Sequence, residues 1–200
     1  LSQVQVDKGE LLGMLSKTTI VLDPFVDATS GEVVKVSRRI EELILEEGHK
    51  NFSQFTLNRV TSDNLRNAEY VMSGTINFSN YEVADSTKND KYYRVSSSVF
   101  HKKTGKIIAN AKIWLAEKEL DYTPVPAYKD SPVYLKDRRI DSLVTTTKTP
   151  AGQKADREYY ESLDTNALLV QADTAYEEKN YEKTALLLDI AAKRPEGQLM

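Results

Sequence analysis

Between Gly31 and Glu47 the apolar residues Val33, Val36, Ile40, Leu43 and Ile44 recur at helical intervals, while Arg38, Arg39, Glu41, Glu42, Glu46 and Glu47 fall largely elsewhere on the cylinder. A stripe of that width has to bury itself against another element. The flanking segments have a different period. Thr18-Thr19-Ile20-Val21-Leu22 is a β-branched apolar run stopped by Asp23-Pro24, and it reads as a buried strand. Thr29 and Glu32 have the spacing of a capping box at the helix start, and Gly48 supplies its end. Phe52, Phe55 and Leu57 then mark a second strand running toward Arg59, and Thr61 or Ser62 caps a short helical turn through Asn67. One long amphipathic helix set among strands predicts an α+β fold, a mostly antiparallel sheet packed on one main helix.

The remaining strands follow from alternation. From Ala68 to Val83, Tyr70, Met72, Ile76 and Phe78 alternate with Val71, Ser73, Thr75 and Asn77, and a slip to Tyr81 and Val83 places a bulge near Asn80. Tyr92 to Phe100 and Lys106 to Ala116 are expected to pair across a Lys103-Thr104-Gly105 turn. Tyr93, Val95 and Val99 would line one face, and Ile107, Ile108, Ile113, Trp114 and Leu115 predict burial of the last strand on both sides. After Glu119, Pro124, Pro126 and Pro132 with Tyr122, Tyr128 and Tyr134 read as an extended irregular segment. Thr145 to Lys154 is polar with no apolar anchor. Helical periodicity returns at Leu168, Ala172, Ala175 and Tyr176, then at Ala185, Leu188 and Ala191, with a break at Asn180 and a stop at Pro195. The expected division is an α/β domain over 1–144, a polar linker over 145–155 and an αα-hairpin over 156–200.

Composition removes whole classes of chemistry. Zero cysteines exclude disulfides, thiolate catalysis and Cys-ligated metal centres, and His49 and His101 are the only histidines. With 27 Lys and Arg against 30 Asp and Glu there is no basic field for nucleic acid. No stretch approaches the ~20 apolar residues of a membrane span. Gly9 and Gly13 lead into no strand–turn–helix unit, so phosphate-loop and dinucleotide readings fail. Glu41-Glu42 and Glu46-Glu47 read as a solvated helix face paired with Arg38 and Arg39, not as catalytic acids. The expectation is a protein without catalytic residues, cofactor or metal. What stands out instead is tyrosine, eleven in all. Tyr81, Tyr92 and Tyr93 cluster at one hairpin, and Tyr176 and Tyr181 flank the break of the αα-hairpin, which makes these five the candidate partner-binding residues.

Two segments carry a resemblance. Leu65-Arg-Asn-Ala68-Glu-Tyr70-Val-Met-Ser-Gly74-Thr-Ile76 leads a helix end into a strand, and Lys103-Thr104-Gly105-Lys106-Ile107-Ile108 joins two later strands. With the amphipathic helix after Ile20–Leu22, this order resembles the α/β domain of bacterial envelope lipoproteins over roughly Thr18 to Leu120. That group includes the penicillin-binding-protein activator LpoB, the flagellar lipoprotein FlgO and the periplasmic body of the curli channel CsgG. The Tyr81–Tyr92 connection is too short and polar for a membrane barrel of the curli type. The tail, Ala172-Xaa-Xaa-Ala175-Tyr176, Tyr181, Ala191 and Pro195, is similar to one tetratricopeptide repeat with its inter-helix turn a residue short. A lone repeat cannot bury both faces, so it would dock on the α/β domain, on a partner or on further repeats.

The resemblance implies a periplasmic, outer-membrane-tethered accessory factor that binds another cell-envelope protein, as a peptidoglycan-synthase activator or a component of an envelope machine. Contact with the membrane would run only through a lipid anchor outside this chain, and a start at Leu1 fits a processed product. Two other readings stay open. One is a self-associating, ring-forming scaffold subunit of a secretion or envelope assembly. The other is a peptidoglycan-binding module using exposed tyrosines and Trp114.

Overall fold

The strand begun by Ile20, Val21 and Leu22 does not stop at Pro24. In the computed structural model, which describes residues 17–77, 92–116, 120–130 and 137–195, β1 runs from Thr18 to Asp27. Its pairing register shifts between Leu22 and Phe25, so Asp23 and Pro24 form a bulge that the strand passes through. Proline lacks the N–H that a ladder would need, and a bulge is where a sheet tolerates it.

The sheet is built outward from β1. Helix α1 (Lys35–Asn51) crosses to β2 (Phe55–Arg59), and the short α2 (Ser62–Asn67) leads to β3 (Tyr70–Asn77) on the other side of β1. β4 (Tyr92–His101) and β5 (Ile107–Ala116) complete the order β2-β1-β3-β4-β5. β1 lies parallel to both neighbours, while β3–β4 and β4–β5 are the longer, antiparallel ladders. Thr61 caps α2 by accepting the Asn64 N–H at 3.1 Å, and Gly105, at φ 68°, makes the tight turn between β4 and β5.

α1 starts and ends about four residues later than its apolar pattern predicts. Asp27 Oδ1 accepts the N–H groups of Thr29 and Ser30, and Gly31 adopts φ 79°, so Thr29 and Glu32 belong to a turn rather than a capping box. Gly48 lies inside the helix, where a Cβ would come within 2.7 Å of Leu57 Cδ2. The Pro-rich stretch helps to set the start, because Lys35 and Val36 donate backbone hydrogen bonds to Thr123 and Asp121.

Two faces cover the sheet. Ile20, Leu22, Phe25, Leu57, Tyr70, Ile76, Val95 and Val99 pack toward Ile40, Ile44 and Leu45 of α1. Val21, Val26, Val71 and Phe100 on the opposite face meet the C-terminal helices: α4 (Arg138–Lys148), α5 (Arg157–Glu161) and α6 (Leu163–Glu177), which bring Ile140, Leu143, Tyr159, Leu163 and Ala167. A short α3 (Pro126–Asp130) precedes them, and α7 (Tyr181–Ala192) packs on α6 through Leu187 and Ala191. The αα-hairpin is thus α6–α7, broken at Asn180 and docked on the sheet through α6.

The polar run expected as a linker over 145–155 is anchored instead. Thr146 and Thr147 are fully buried in α4, and Thr147 Oγ1 lies 3.1 Å from Thr75 Oγ1 on the sheet. The sheet presents a row of small hydroxyl residues here, Ser73, Thr75, Ser96 and Ser98, all buried. Hydroxyl packs on hydroxyl, which leaves no apolar signature in the sequence. The end of the run is held as well, since Gly152 donates to the Ile107 carbonyl and Ile107 to that of Gln153. β5 also departs from expectation. Ile107 and Ala109 are buried and Leu115 packs on the α1-side core, but Ile113 is 50% and Trp114 46% exposed on this edge strand. The bulge expected near Asn80, and the helical turn at Leu11–Leu15, lie outside the described residues.

Gly74 is the point of closest approach in this core. It pairs with Phe25 just after the bulge, and a Cβ on it would lie 2.0 Å from Phe25 Cε1. Gly74→Ala is expected to lower stability by roughly 1–3 kcal/mol through overpacking. Urea unfolding checks this, and Gly74→Ala with Phe25→Leu should recover part of the loss.

Candidate functional site

The bulge in β1 turns two main-chain and side-chain groups out of the ladder, and the rest of the chain converges on them. Phe25 donates its freed N–H to Glu41 Oε1 at 3.0 Å. Glu41 is therefore buried, 1% exposed, in contrast to the solvated face its sequence context predicts. Arg59 and Arg38 neutralise it at 3.3 and 3.5 Å, and Arg38 reaches on to Glu177 of α6 at 3.8 Å. Burial pushes the Glu41 carboxyl above its ordinary pKa, against the pull of Arg38 and the Phe25 N–H. Glu42 and Glu46 stay on the exposed face, paired with Arg39.

Asp23 points to the opposite side. Its Oδ2 accepts the Tyr159 hydroxyl at 2.6 Å and its Oδ1 accepts Asn166 Nδ2 at 2.5 Å, while Asn166 in turn accepts from Arg139 Nη1 at 2.5 Å. Desolvation dominates and raises the Asp23 carboxyl from 3.8 to about 6, opposed by Tyr159, Arg139 and Asn166. The same burial pushes the Tyr159 hydroxyl well above its ordinary value. Asp173, about two turns along α6 from Asn166, is also raised to about 6 by burial and is bonded to the Tyr128 hydroxyl.

Above this floor opens a cleft of about 700 Å³. Pro24 and Val26 of β1, Tyr128 and Asp130 of α3, Arg139 and Leu143 of α4, Val170 and Asp173 of α6, and Leu188 of α7 line it. A smaller cleft of about 230 Å³ lies on the other flank of Pro24, between Arg59, Glu41, Gln171 and Lys183. Both oxygens of Asp23 are taken by protein donors, so this carboxyl serves as an internal acceptor that ties α5 and α6 to β1. Neither histidine is near the cleft lining. His49 contacts the Leu57 carbonyl at 3.2 Å, and the His101 ring packs edge-on against Tyr70. Among the described residues no group of three or more His, Asp or Glu is placed to hold a metal ion.

The five candidate tyrosines do not form one surface. Tyr93 is buried, 8% exposed, with its ring 4.8 Å from that of Tyr122, because strand alternation turns it to the α1 face beside Val95. It is a core residue rather than a contact residue. Tyr92, on the other side of the strand, is half-buried, and Tyr81 lies outside the described residues. Tyr176 and Tyr181 do meet, edge to face at 5.6 Å, at the mouth of the cleft, where the Tyr176 hydroxyl donates to Asp130 at 3.0 Å. The residues that sequence reasoning missed are Asp23, Arg139 and Asn166. The one available signal was the helical spacing of Ile140, Leu143 and Val144 after Asp137, which caps α4 by accepting the Ile140 N–H.

No family model and no curated protein matches the sequence. Thirty-one chains of solved structures show a likeness. The PelC dodecamer from Paraburkholderia phytofirmans is 14% identical, with a TM-score of 0.34 over 50% of this chain and 72% of its own. The LpoB C-terminal domain is 17% identical in Salmonella enterica, TM-score 0.33, over 56% of this chain and 93% of that one. The Escherichia coli domain is 18% identical, TM-score 0.33, over 57% and 95%.

Stability should report on the buried acid. A carboxyl whose pKa rises from 3.8 unfolded to about 6 folded holds its proton more tightly in the native state. Its stabilising contribution is therefore complete below about pH 4 and is lost as pH rises through about 6, amounting to roughly 3 kcal/mol. Asp23→Asn is expected to flatten that part of the stability–pH curve measured by urea unfolding from pH 4 to 7. Tyr159→Phe should lower stability at pH 7 by about 1–3 kcal/mol by leaving a buried carboxylate oxygen short of a donor.

Proposed function

We propose that this chain is a non-catalytic accessory protein of the bacterial envelope that acts by binding another protein. The observation that carries the binding role is α7. Only Leu187 and Ala191 of this helix are buried, whereas Tyr181, Leu186, Leu188 and Ile190 are 59%, 60%, 46% and 39% exposed. A helix that is apolar on nearly every side is ordinarily covered, and exposed apolar side chains grouped on one element mark interaction sites. The envelope placement is supported by the Leu65–Ile76 and Lys103–Ile108 patterns, which resemble those of envelope lipoprotein domains. On that reading the protein is periplasmic and tethered to the outer membrane through an anchor outside this chain. Its partner is a peptidoglycan synthase or a component of an envelope machine.

The test is affinity capture from bacterial envelope extract with the full chain as bait. A specific protein retained by the wild-type chain should be lost by Leu186→Glu/Ile190→Glu, while the circular dichroism spectrum stays the same because both side chains already face water. Identical retention by the double variant would remove α7 from the interface, and an empty capture by the wild-type chain would count against the accessory role.

A self-associating scaffold is the second reading, favoured by the exposed Ile113 and Trp114 on the edge strand β5. Open strand edges take up further strands. Under the accessory reading, light scattering gives the mass of one protomer at every concentration. A multiple of that mass that Ile113→Lys abolishes would instead establish the scaffold.

A further inference from the structure

We infer that the cleft above the β1 bulge is a binding groove for a basic, amphipathic segment of the partner protein, an inference that rests on the protein-binding reading above. The cleft, at about 700 Å³, has room for several side chains. Its walls are aliphatic, formed by Val26, Leu143, Leu169, Val170 and Leu188, with Leu188 46% exposed at the mouth. An apolar trough of this kind accepts Leu- or Phe-type anchors spaced along one face of a helix or extended segment.

Charge selects among such segments. The described lining holds four carboxylates, Asp23, Asp130, Asp137 and Asp173, against one cation, Arg139. Asp23 is spent on Tyr159 and Asn166 at the floor, and Asp173 is bonded to Tyr128. The two that face an incoming chain are Asp130, at the end of α3, and Asp137, at the start of α4. Asp130 uses Oδ2 to accept from Tyr176, and Asp137 uses Oδ1 to cap α4, so each has a second oxygen that these bonds do not use. Lys or Arg at the margin of an apolar face matches this pair, while an acidic segment would meet four carboxylates against one cation in the described lining. The one cation in the described lining does not offset this pair, since Arg139 donates Nη1 to Asn166 at the floor.

The probe is a dye-labelled Lys/Leu amphipathic model peptide, titrated with the full-length chain and followed by fluorescence anisotropy, with a Glu/Leu peptide of the same pattern beside it. The Lys/Leu peptide should bind saturably and lose about tenfold or more in affinity at about 0.5 M salt, where charges are screened. Asp130→Asn/Asp137→Asn should weaken it about tenfold, and Asn keeps the α4 cap. Glu46→Gln/Glu47→Gln removes the same charge from the exposed face of α1, across the sheet, and should leave binding unchanged. Equal affinity for both peptides, equal loss in the two double variants, or no binding of the Lys/Leu peptide overturns the inference. Saturable binding of an N-acetylglucosamine oligomer that competes for the cleft also overturns it, in favour of a glycan. If envelope capture by the wild-type chain persists unchanged in Asp130→Asn/Asp137→Asn, the groove inference fails while the protein-binding reading stands; if the wild-type chain captures nothing, that reading itself has failed.

Discussion

A carboxylate with no access to water has to be answered from inside the protein, and here that requirement organises the molecule. Asp23 sits in the central strand at a bulge that it shares with a proline. Its donors, Tyr159 and Asn166, come from helices more than 130 residues further on. On the opposite side of the same bulge, the N–H of Phe25 finds Glu41, which in turn needs Arg38 and Arg59. Two buried acids thus flank one break in the ladder, one answered by the C-terminal helices and the other by α1. Removing a single member of such a network leaves a group desolvated and unpaired, which is why the arrangement specifies position as well as contributing stability.

The hydroxyl stripe on the sheet plays the complementary part. Ser73, Thr75, Ser96 and Ser98 are too small to hold α4 at the distance that leucines would impose, and Ser142, Thr146 and Thr147 of α4 are equally small. The helix can lie close, its hydroxyls are satisfied locally, and Ser142 also receives the Tyr159 N–H that orients α5. Close docking of α4 and α5 brings Tyr159 to Asp23. It also leaves a wide gap further along, between α3, α4, α6 and α7, which is the cleft. Tight packing at one end and open space at the other are two results of the same placement.

How much of this could be read from residue types differs by element. The α+β class, the two antiparallel strands around Gly105, the Thr61-capped turn and the αα-hairpin all follow periodic apolar patterns or turn residues that act locally, and the structure has them. Two of the differences share one cause: a polar residue that reads as solvated is satisfied by a distant polar residue. Glu41 looked like a surface acid because Phe25 and Arg59 are not its sequence neighbours. Thr145–Lys154 looked like a linker because hydroxyl-on-hydroxyl packing has no apolar period. Tyr93 illustrates a conflict visible within the sequence, since alternation put it in the core with Val95 while clustering with Tyr92 put it on a surface; alternation prevailed. The cleft was least legible, as its lining is drawn from five separate elements.

The separation between Asp23 and its donors also bears on how the chain reaches its final form. β1 is made before its answering hydroxyl and amide, so more than 130 further residues must be available before the central strand can be closed off from water. Contacts of such long range carry a large loop-closure entropy and slow the search for the native state. Without α5 and α6, Asp23 would lack both the Tyr159 hydroxyl and the Asn166 amide, so the strand on which the sheet is built is completed by residues far along the chain.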